Sequence, residues 1–220
     1  MKRFFSVIIL AALIAAAGTD AFAQFGVNVS YMNSNTWTRS NAGGEPAKMN
    51  TNGFAVGIDH NIRIVGNILS IQPGIYYQHL LKSEDIAEIS GLAARDTYME
   101  NYLAIPVYLK VGFNILPKNI LRLYVFAGPT FEVGLMASNK IKSSSEEFNS
   151  LAENYFQTDG QGQYGRFDIM LGGGVGLQVV RFLDIKVGYD YGLVNRLKGT
   201  LAENATANRG QFYVGVGIRL

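Results

Sequence analysis

The chain has 220 residues, a formal charge of +2, 12% aromatic residues, 25 glycines and no cysteine. The near-balance of charge excludes the basic footprint of a nucleic-acid binder, and the missing cysteines exclude a disulfide scaffold. Beyond the first residues, no segment approaches the roughly 18 consecutive apolar residues of a spanning helix.

In chain order, Met1-Lys2-Arg3 is followed by an apolar run from Phe4 to Ala17 and then Ala21-Phe22-Ala23. A basic start, an apolar stretch and an A-x-A site in that order predict a cleaved secretory signal over 1–23. The mature domain is then 24–220 and nearly neutral. Its dominant pattern is strict alternation, the period of a strand with two unlike faces. Phe25, Val27, Val29 and Tyr31 oppose Gly26, Asn28, Ser30 and Met32. Phe54, Val56 and Ile58 oppose Ala55, Gly57 and Asp59, and Phe167, Ile169, Leu171 and Val175 oppose Asp168, Gly172, Gly174 and Gly176. Near the C-terminus Phe212, Val214, Val216 and Ile218 oppose Gln211, Tyr213, Gly215, Gly217 and Arg219.

Eight such segments are predicted, at 24–34, 52–64, 68–80, 97–113, 120–135, 165–179, 183–194 and 210–220. Most reach the roughly nine to eleven residues that a tilted strand needs to cross a bilayer. Short connections (65–67, 114–119, 180–182) alternate with long polar ones (35–51, 81–96, 136–164, 195–209), the pattern of tight periplasmic turns and long extracellular loops. A soluble sandwich has no reason to segregate its loops this way. In hydrocarbon every backbone group must pair internally, so such a sheet has to close on itself. The expected fold is all-β: a closed antiparallel up-and-down transmembrane barrel of about eight strands, with both termini on the periplasmic side of the bacterial outer membrane.

The apolar face of these segments is almost free of charge, as a lipid face must be. The other face carries Asp59, Arg63, Glu100, Lys110, Arg122, Glu132, Arg166, Asp168, Asp184, Lys186, Asp190 and Arg219. Six acids and six bases on one face predict a lumen in which charges pair. With Tyr76, Tyr124 and Phe126 also inward, and an eight-strand interior just wide enough for side chains, the lumen is expected to be plugged. Glycines 172, 174, 176, 215 and 217 are expected to make room for bulky neighbours. Tyr31, Tyr98, Phe113, Phe131 and Tyr213 are candidates for interfacial girdles.

Several stretches resemble the outer-membrane β-barrel family typified by the secretion and gliding protein PorT. They are Glu100-Asn101-Tyr102-Leu103-Ala104-Ile105-Pro106-Val107-Tyr108-Leu109-Lys110, Val125-Phe126-Ala127-Gly128-Pro129, the segment Asp168 to Gly176, and Tyr189-Asp190-Tyr191-Gly192-Leu193. Ala104 stands where that family commonly has an acid, and Leu220 where Phe is usual. The resemblance implies the same fold and location, and by analogy alone an accessory role in secretion.

Catalysis finds little footing. His60 and His79 are the two imidazoles; His79, with Ser83 and Glu84 close in sequence, is the candidate base of a lipid-modifying site. Both share the lipid-facing parity, which also suits a plain interfacial position. Glu100 with Lys110 has the composition of a proton relay but equally that of a structural pair. The run Gly172 to Gly176 lacks the G-x-G-x-x-G spacing and lies within a strand, so a phosphate loop is rejected. No metal-ligand spacing and no cofactor motif is found. The stretch 136–164 is the candidate interaction surface through Phe148, Leu151, Tyr155 and Phe156, or an ordinary polar loop; Ser143 to Tyr155 has helical 3–4 spacing. The leading expectation is a non-enzymatic barrel with a structural, interaction or secretion-accessory role. A narrow channel for small or apolar solutes is the alternative, and a lipid-modifying enzyme a third reading. Outer-membrane lipids, lipopolysaccharide and envelope proteins are the expected partners.

Overall fold

The structure is a computed structural model and describes residues 25–66, 68–89, 92–116, 120–143, 153–156, 163–180 and 182–219. The signal segment, Phe148, Leu151 and Leu220 lie outside the described residues. Strands β1 (Phe25–Ser40), β2 (Ala47–His60), β3 (Ile62–Val65), β4 (Leu69–Ile89), β5 (Leu92–Asn114) and β6 (Leu121–Ser143) come first. They are followed by β7 (Glu153–Asn154), β8 (Phe167–Val179), β9 (Leu183–Gly192), one short helix α1 (Thr200–Asn204) and β10 (Ala205–Arg219).

All neighbours pair antiparallel in chain order, and β1 pairs β10 from Gly26↔Arg219 to Ser40↔Ala205, which closes the sheet. β2 and β3 are one barrel strand interrupted at Asn61, since β4 pairs with both. β7 is a two-residue addition to the end of β6. The barrel therefore has eight walls. Side chains alternate as the sequence requires. Val27, Val29, Val56, Ile58, Leu171, Val175, Val214, Val216 and Ile218 cover the exterior, and none of the buried charged residues lies on that face. A charge there would cost about 2–4 kcal/mol at the bilayer midplane.

The strands run further than the alternation alone indicates. β5 and β6 have 23 residues each, and the β4–β5 ladder continues to Ile89↔Leu92. The stretches 35–51 and 81–96 are mostly strand, not loop. Ladder hydrogen bonds need no apolar face once the strand has left hydrocarbon, so pairing continues after the hydrophobic signal has faded. In 136–164, β6 extends to Ser143 and Glu153–Asn154 is strand, so the helical spacing is not used at its C-terminal end. A bulge between Asn101 and Tyr102 sets Met136 opposite Asn101 and Gly134 opposite Tyr102, with Leu135 as the extra residue. It resets the parity of β6, so that Ala137 is fully buried.

The opposite end has tight turns. In the β8–β9 turn Val180 has φ 50°, a left-handed conformation that is strained for a β-branched residue, and its side chain is exposed. Val180→Asn is expected to stabilise the barrel by about 1 kcal/mol, read as a higher urea midpoint with an unchanged slope.

The girdle candidates point in different directions. Tyr31, Phe131 and Phe113 are exposed on the exterior. Tyr213 is instead buried, donating its hydroxyl to Tyr108 at 3.2 Å, and Tyr98 points inward to Glu100. Both carry the inward parity, and parity governs direction in a strand.

A two-tier lumen as candidate functional site

The inward face assembles two charge clusters stacked along the barrel axis. The one nearer the short turns draws on β1, β2, β4, β5, β6, β9 and β10. Arg219 donates to Asp59 at 3.1 Å and to Asp184 at 2.7 Å. Lys110 lies 3.6 Å from Asp184 and 3.4 Å above the centre of the Tyr124 ring. Lys186 donates to the Tyr76 hydroxyl at 3.0 Å and lies 3.9 Å from Asp59. Tyr76 and Asn28 donate to Asp59, each at 2.9 Å, and Tyr124 donates to Asp184. Each carboxylate is thus held by cations and neutral donors together, the condition under which a buried ion pair is tolerated.

The upper cluster faces the long hairpins. Its centre is Glu132 on β6, bonded to Arg209 from β10, Gln78 from β4 at 2.9 Å and Gln211 from β10 at 3.1 Å. Arg209 also lies 3.8 Å from Glu100, and its guanidinium stacks 3.9 Å from the Tyr102 ring centre. Arg196, from the connection after β9, reaches down to Glu100 and to the Tyr102 hydroxyl at 2.5 Å each, and to Thr36 at 2.8 Å. Burial alone would lower the Arg196 guanidinium, but the Glu100 carboxylate raises it well above its ordinary value. The connection is therefore anchored by a permanent cation. Asp168 accepts the Val194 backbone N–H at 3.3 Å and so holds the segment that carries Arg196.

Between the tiers, Tyr108 donates to Asp190 at 3.0 Å and contacts Thr130 at 3.0 Å. The space left beside them is a cavity of about 40 Å³ lined by Tyr76, Gln78, Tyr108, Lys186, Asp190 and Tyr213, room for a few water molecules at most. The large rings fit because glycines face them. A Cβ on Gly176 would run into the Tyr124 ring, and one on Gly174 into Phe126.

Of the twelve predicted lumen charges, Asp59, Glu100, Lys110, Glu132, Asp184, Lys186, Asp190 and Arg219 meet in this network. Arg122 is buried on the same face. Arg63 shares the inward parity but is exposed at the short-turn rim, where water replaces a lumen partner. Arg166 lies just before β8 and reaches the Gly134 carbonyl at 3.4 Å. Sequence reasoning missed the two guanidiniums at the centre. Arg209 was legible, two residues before Gln211 on the same parity, but its outward neighbours Asn208 and Gly210 are not apolar and hide the strand. Arg196 lies outside any strand, and no periodicity marks it.

Phe156 is not a free binding surface, and Tyr155 is half-buried with its ring 6.2 Å from Tyr98 and 5.7 Å from Tyr164. Phe156 is fully buried, edge-on to Tyr102 at 5.9 Å and beside Tyr164 at 6.3 Å. Its ring occupies the place a side chain at Gly134 would need. The Asn154 carboxamide accepts the N–H of Phe156 at 3.1 Å and of Ala137 at 3.3 Å, tying this turn to β6. An apolar ring beside a shallow, glycine-floored barrel mouth gains more by filling it than by facing water.

The histidines stand apart from the lumen. His79 faces outward, with Nδ1 2.6 Å from the Asn101 carboxamide oxygen and its ring 5.4 Å from Phe54. Ser83 is four residues along the same strand, about 13 Å away at strand rise, too far for a nucleophile–base hydrogen bond. His60 stacks on Phe25 at 4.4 Å. Among the described residues no three His, Cys, Asp or Glu side chains form a group that could hold a metal ion.

The sequence matches the family model described as outer membrane protein beta-barrel domain over residues 21–198. That match is to the family at large and does not single out PorT-type members. No curated protein matches the chain. Solved structures similar to it include Ail, the attachment invasion locus protein of Yersinia pestis, at 12% identity and TM-score 0.44, covering 90% of this chain and 99% of Ail. Neisserial surface protein A is similar at 14% identity and TM-score 0.38, covering 88% and 97%. The outer membrane enzyme PagL is similar at 8% identity and TM-score 0.37, covering 86% and 99%. The chain belongs to the outer membrane protein β-barrel domain family and is an integral β-barrel of the bacterial outer membrane.

Proposed function

We propose that this barrel is a non-enzymatic surface element: a sealed pillar that holds its long hairpins outside the cell for structural or binding roles, with an envelope protein as the partner for those hairpins. The observation that carries the reading is the lumen itself, where two ion-pair tiers cross the barrel above and below a cavity of about 40 Å³. A solute pathway would have to part Arg209 from Glu132 and Arg219 from Asp59 and Asp184. Separating such buried pairs costs several kcal/mol each. Among the described residues, an enzymatic reading finds His79 bonded to Asn101 and not to Ser83.

Planar-bilayer recording tests the seal. The folded protein is expected to show no discrete conductance steps. Steady wild-type channels would replace this reading with the narrow channel. Loss of a lipid-modifying activity on His79→Ala or Ser83→Ala would replace it with the enzyme.

A further inference from the structure

The short-turn end of the barrel is cationic throughout. Positions 60–72, 111–123 and 178–183 hold the three turns and the strand ends beside them. They contain Arg63, Lys118, Arg122 and Arg181, and neither Asp nor Glu. The lower tier just inside adds Lys110, Lys186 and Arg219 against the carboxylates of Asp59 and Asp184. Those carboxylates already have cations of their own. Asp59 accepts Arg219 at 3.1 Å with Lys186 at 3.9 Å, and Asp184 accepts Arg219 at 2.7 Å with Lys110 at 3.6 Å.

Arg63 and Arg122 are the surplus. Arg63 on β3 is exposed and faces Ser70 across its ladder. Arg122 on β6 stands between Asn114 and Gln178. No described residue in either row is acidic. Gly112 on β5 lets the Arg122 guanidinium lie against the wall, since a Cβ there would run into it. Arg122 keeps 8% of its surface open, enough for one side chain to touch and too little for a larger body.

Like charges gathered in a mouth with low-dielectric walls project a field beyond it, and its complement is an anion. Arg63 and Arg122 have the inward parity, so lipid around the wall does not reach them; an occupant arrives along the barrel axis, from water. Between the two lie β4 and β5, three strand spacings or about 14 Å along the wall. An extended chain covers that distance in about four residues, whereas one small oxyanion does not. We infer that the short-turn mouth docks an acidic polypeptide segment of a periplasmic protein. One carboxylate enters to Arg122 and others meet Arg63 and the turn bases, in the planar, two-pronged pairing that guanidinium offers. The inference rests on the outward orientation of the long hairpins adopted above, which puts this end in the periplasm, and not on the sealed lumen.

The full folded protein in dodecylmaltoside micelles is titrated into a fluorescein-labelled octaglutamate peptide and followed by anisotropy. Saturable binding that weakens as salt rises is expected, and none with the matching octalysine. Arg63→Glu, an exposed change, is expected to weaken the apparent affinity about tenfold, and Arg122→Gln to do the same while heat-modifiable migration persists. Arg39→Gln with Lys48→Gln, at the other end of the barrel, should change nothing. Undiminished binding by Arg63→Glu, or an equal loss from the Arg39 and Lys48 changes, overturns the inference. So does release of the peptide by inorganic phosphate at constant ionic strength, which would give the mouth to a small oxyanion. Loss of binding in phosphatidylglycerol nanodiscs would give the bases to lipid and overturn it as well. Because the chain has no cysteine, Arg63→Cys reads the orientation alone. Its labelling in intact cells by a bulky polyethylene-glycol maleimide would remove the periplasmic source, whatever the conductance shows.

Discussion

Arg209→Met is expected to destabilise the folded barrel by about 3–5 kcal/mol, because it strands the Glu132 carboxylate without a cation in a fully buried site. Glu132 and Arg209 are both essentially inaccessible to water, so neither can recover its loss by hydration. Glu100 loses one of its cations as well, keeping Arg196 and the Tyr98 hydroxyl. The companion Glu132→Gln with Arg209→Met removes both charges and keeps both volumes. It is expected to recover most of the loss, since an uncharged pair of matched shape escapes the desolvation penalty. Urea unfolding of the protein in lipid vesicles, followed through Trp37 emission, measures both. If Arg209→Met alone left the midpoint unchanged, the upper tier would not be a closed ion-pair system, and the sealed-lumen reading would lose its basis.

Phe156→Ala is expected to cost about 3–5 kcal/mol locally, the usual range for emptying a fully buried phenyl site. The loss falls on the turn after β7, which this ring holds to the barrel together with the Asn154 carboxamide and the Tyr155 N–H donated to the Ala137 carbonyl at 2.7 Å, and not on the barrel wall. The global urea midpoint should therefore move little, while limited proteolysis between β6 and β8 speeds up by two or more orders of magnitude, as about 3 kcal/mol implies when cleavage follows the open population. Gly134→Leu is expected to mimic it, because that side chain claims the same space. Wild-type proteolysis rates in Phe156→Ala would show that the turn is held by other contacts.

The wall of the molecule was legible in sequence because lipid and lumen impose opposite requirements on alternate residues. Val214 and Gln211, or Val175 and Asp168, are sorted by that rule alone. It fails where the outside is no longer hydrocarbon. β1 beyond Tyr31 alternates amides with Ser34 and Thr36, so the segment reads as loop although its ladder to β2 continues to Thr38↔Ala47. Arg209 disappears for the same reason. Arg196 and Phe156 are a different matter. They are loop residues drawn into the mouth by partners distant in sequence, Glu100 and Gly134, and pairing of that kind has no local signature. Phe148, Leu151, Tyr155 and Phe156 are alike as apolar residues of one long polar stretch, yet the latter two serve the barrel's own packing.

Arg219 is the last described residue of the final strand, and it joins Asp59 on the second wall to Asp184 on the seventh. Because β10 also closes the wall against β1, one strand supplies both the missing edge and the bolt of the lower tier. Without β10 the outer edge of β1 has no partner, so a sheet lacking this strand is no stable lodger in the bilayer. Closure of the wall is then governed by contacts between strands nearly two hundred residues apart, the slowest kind of pairing to find.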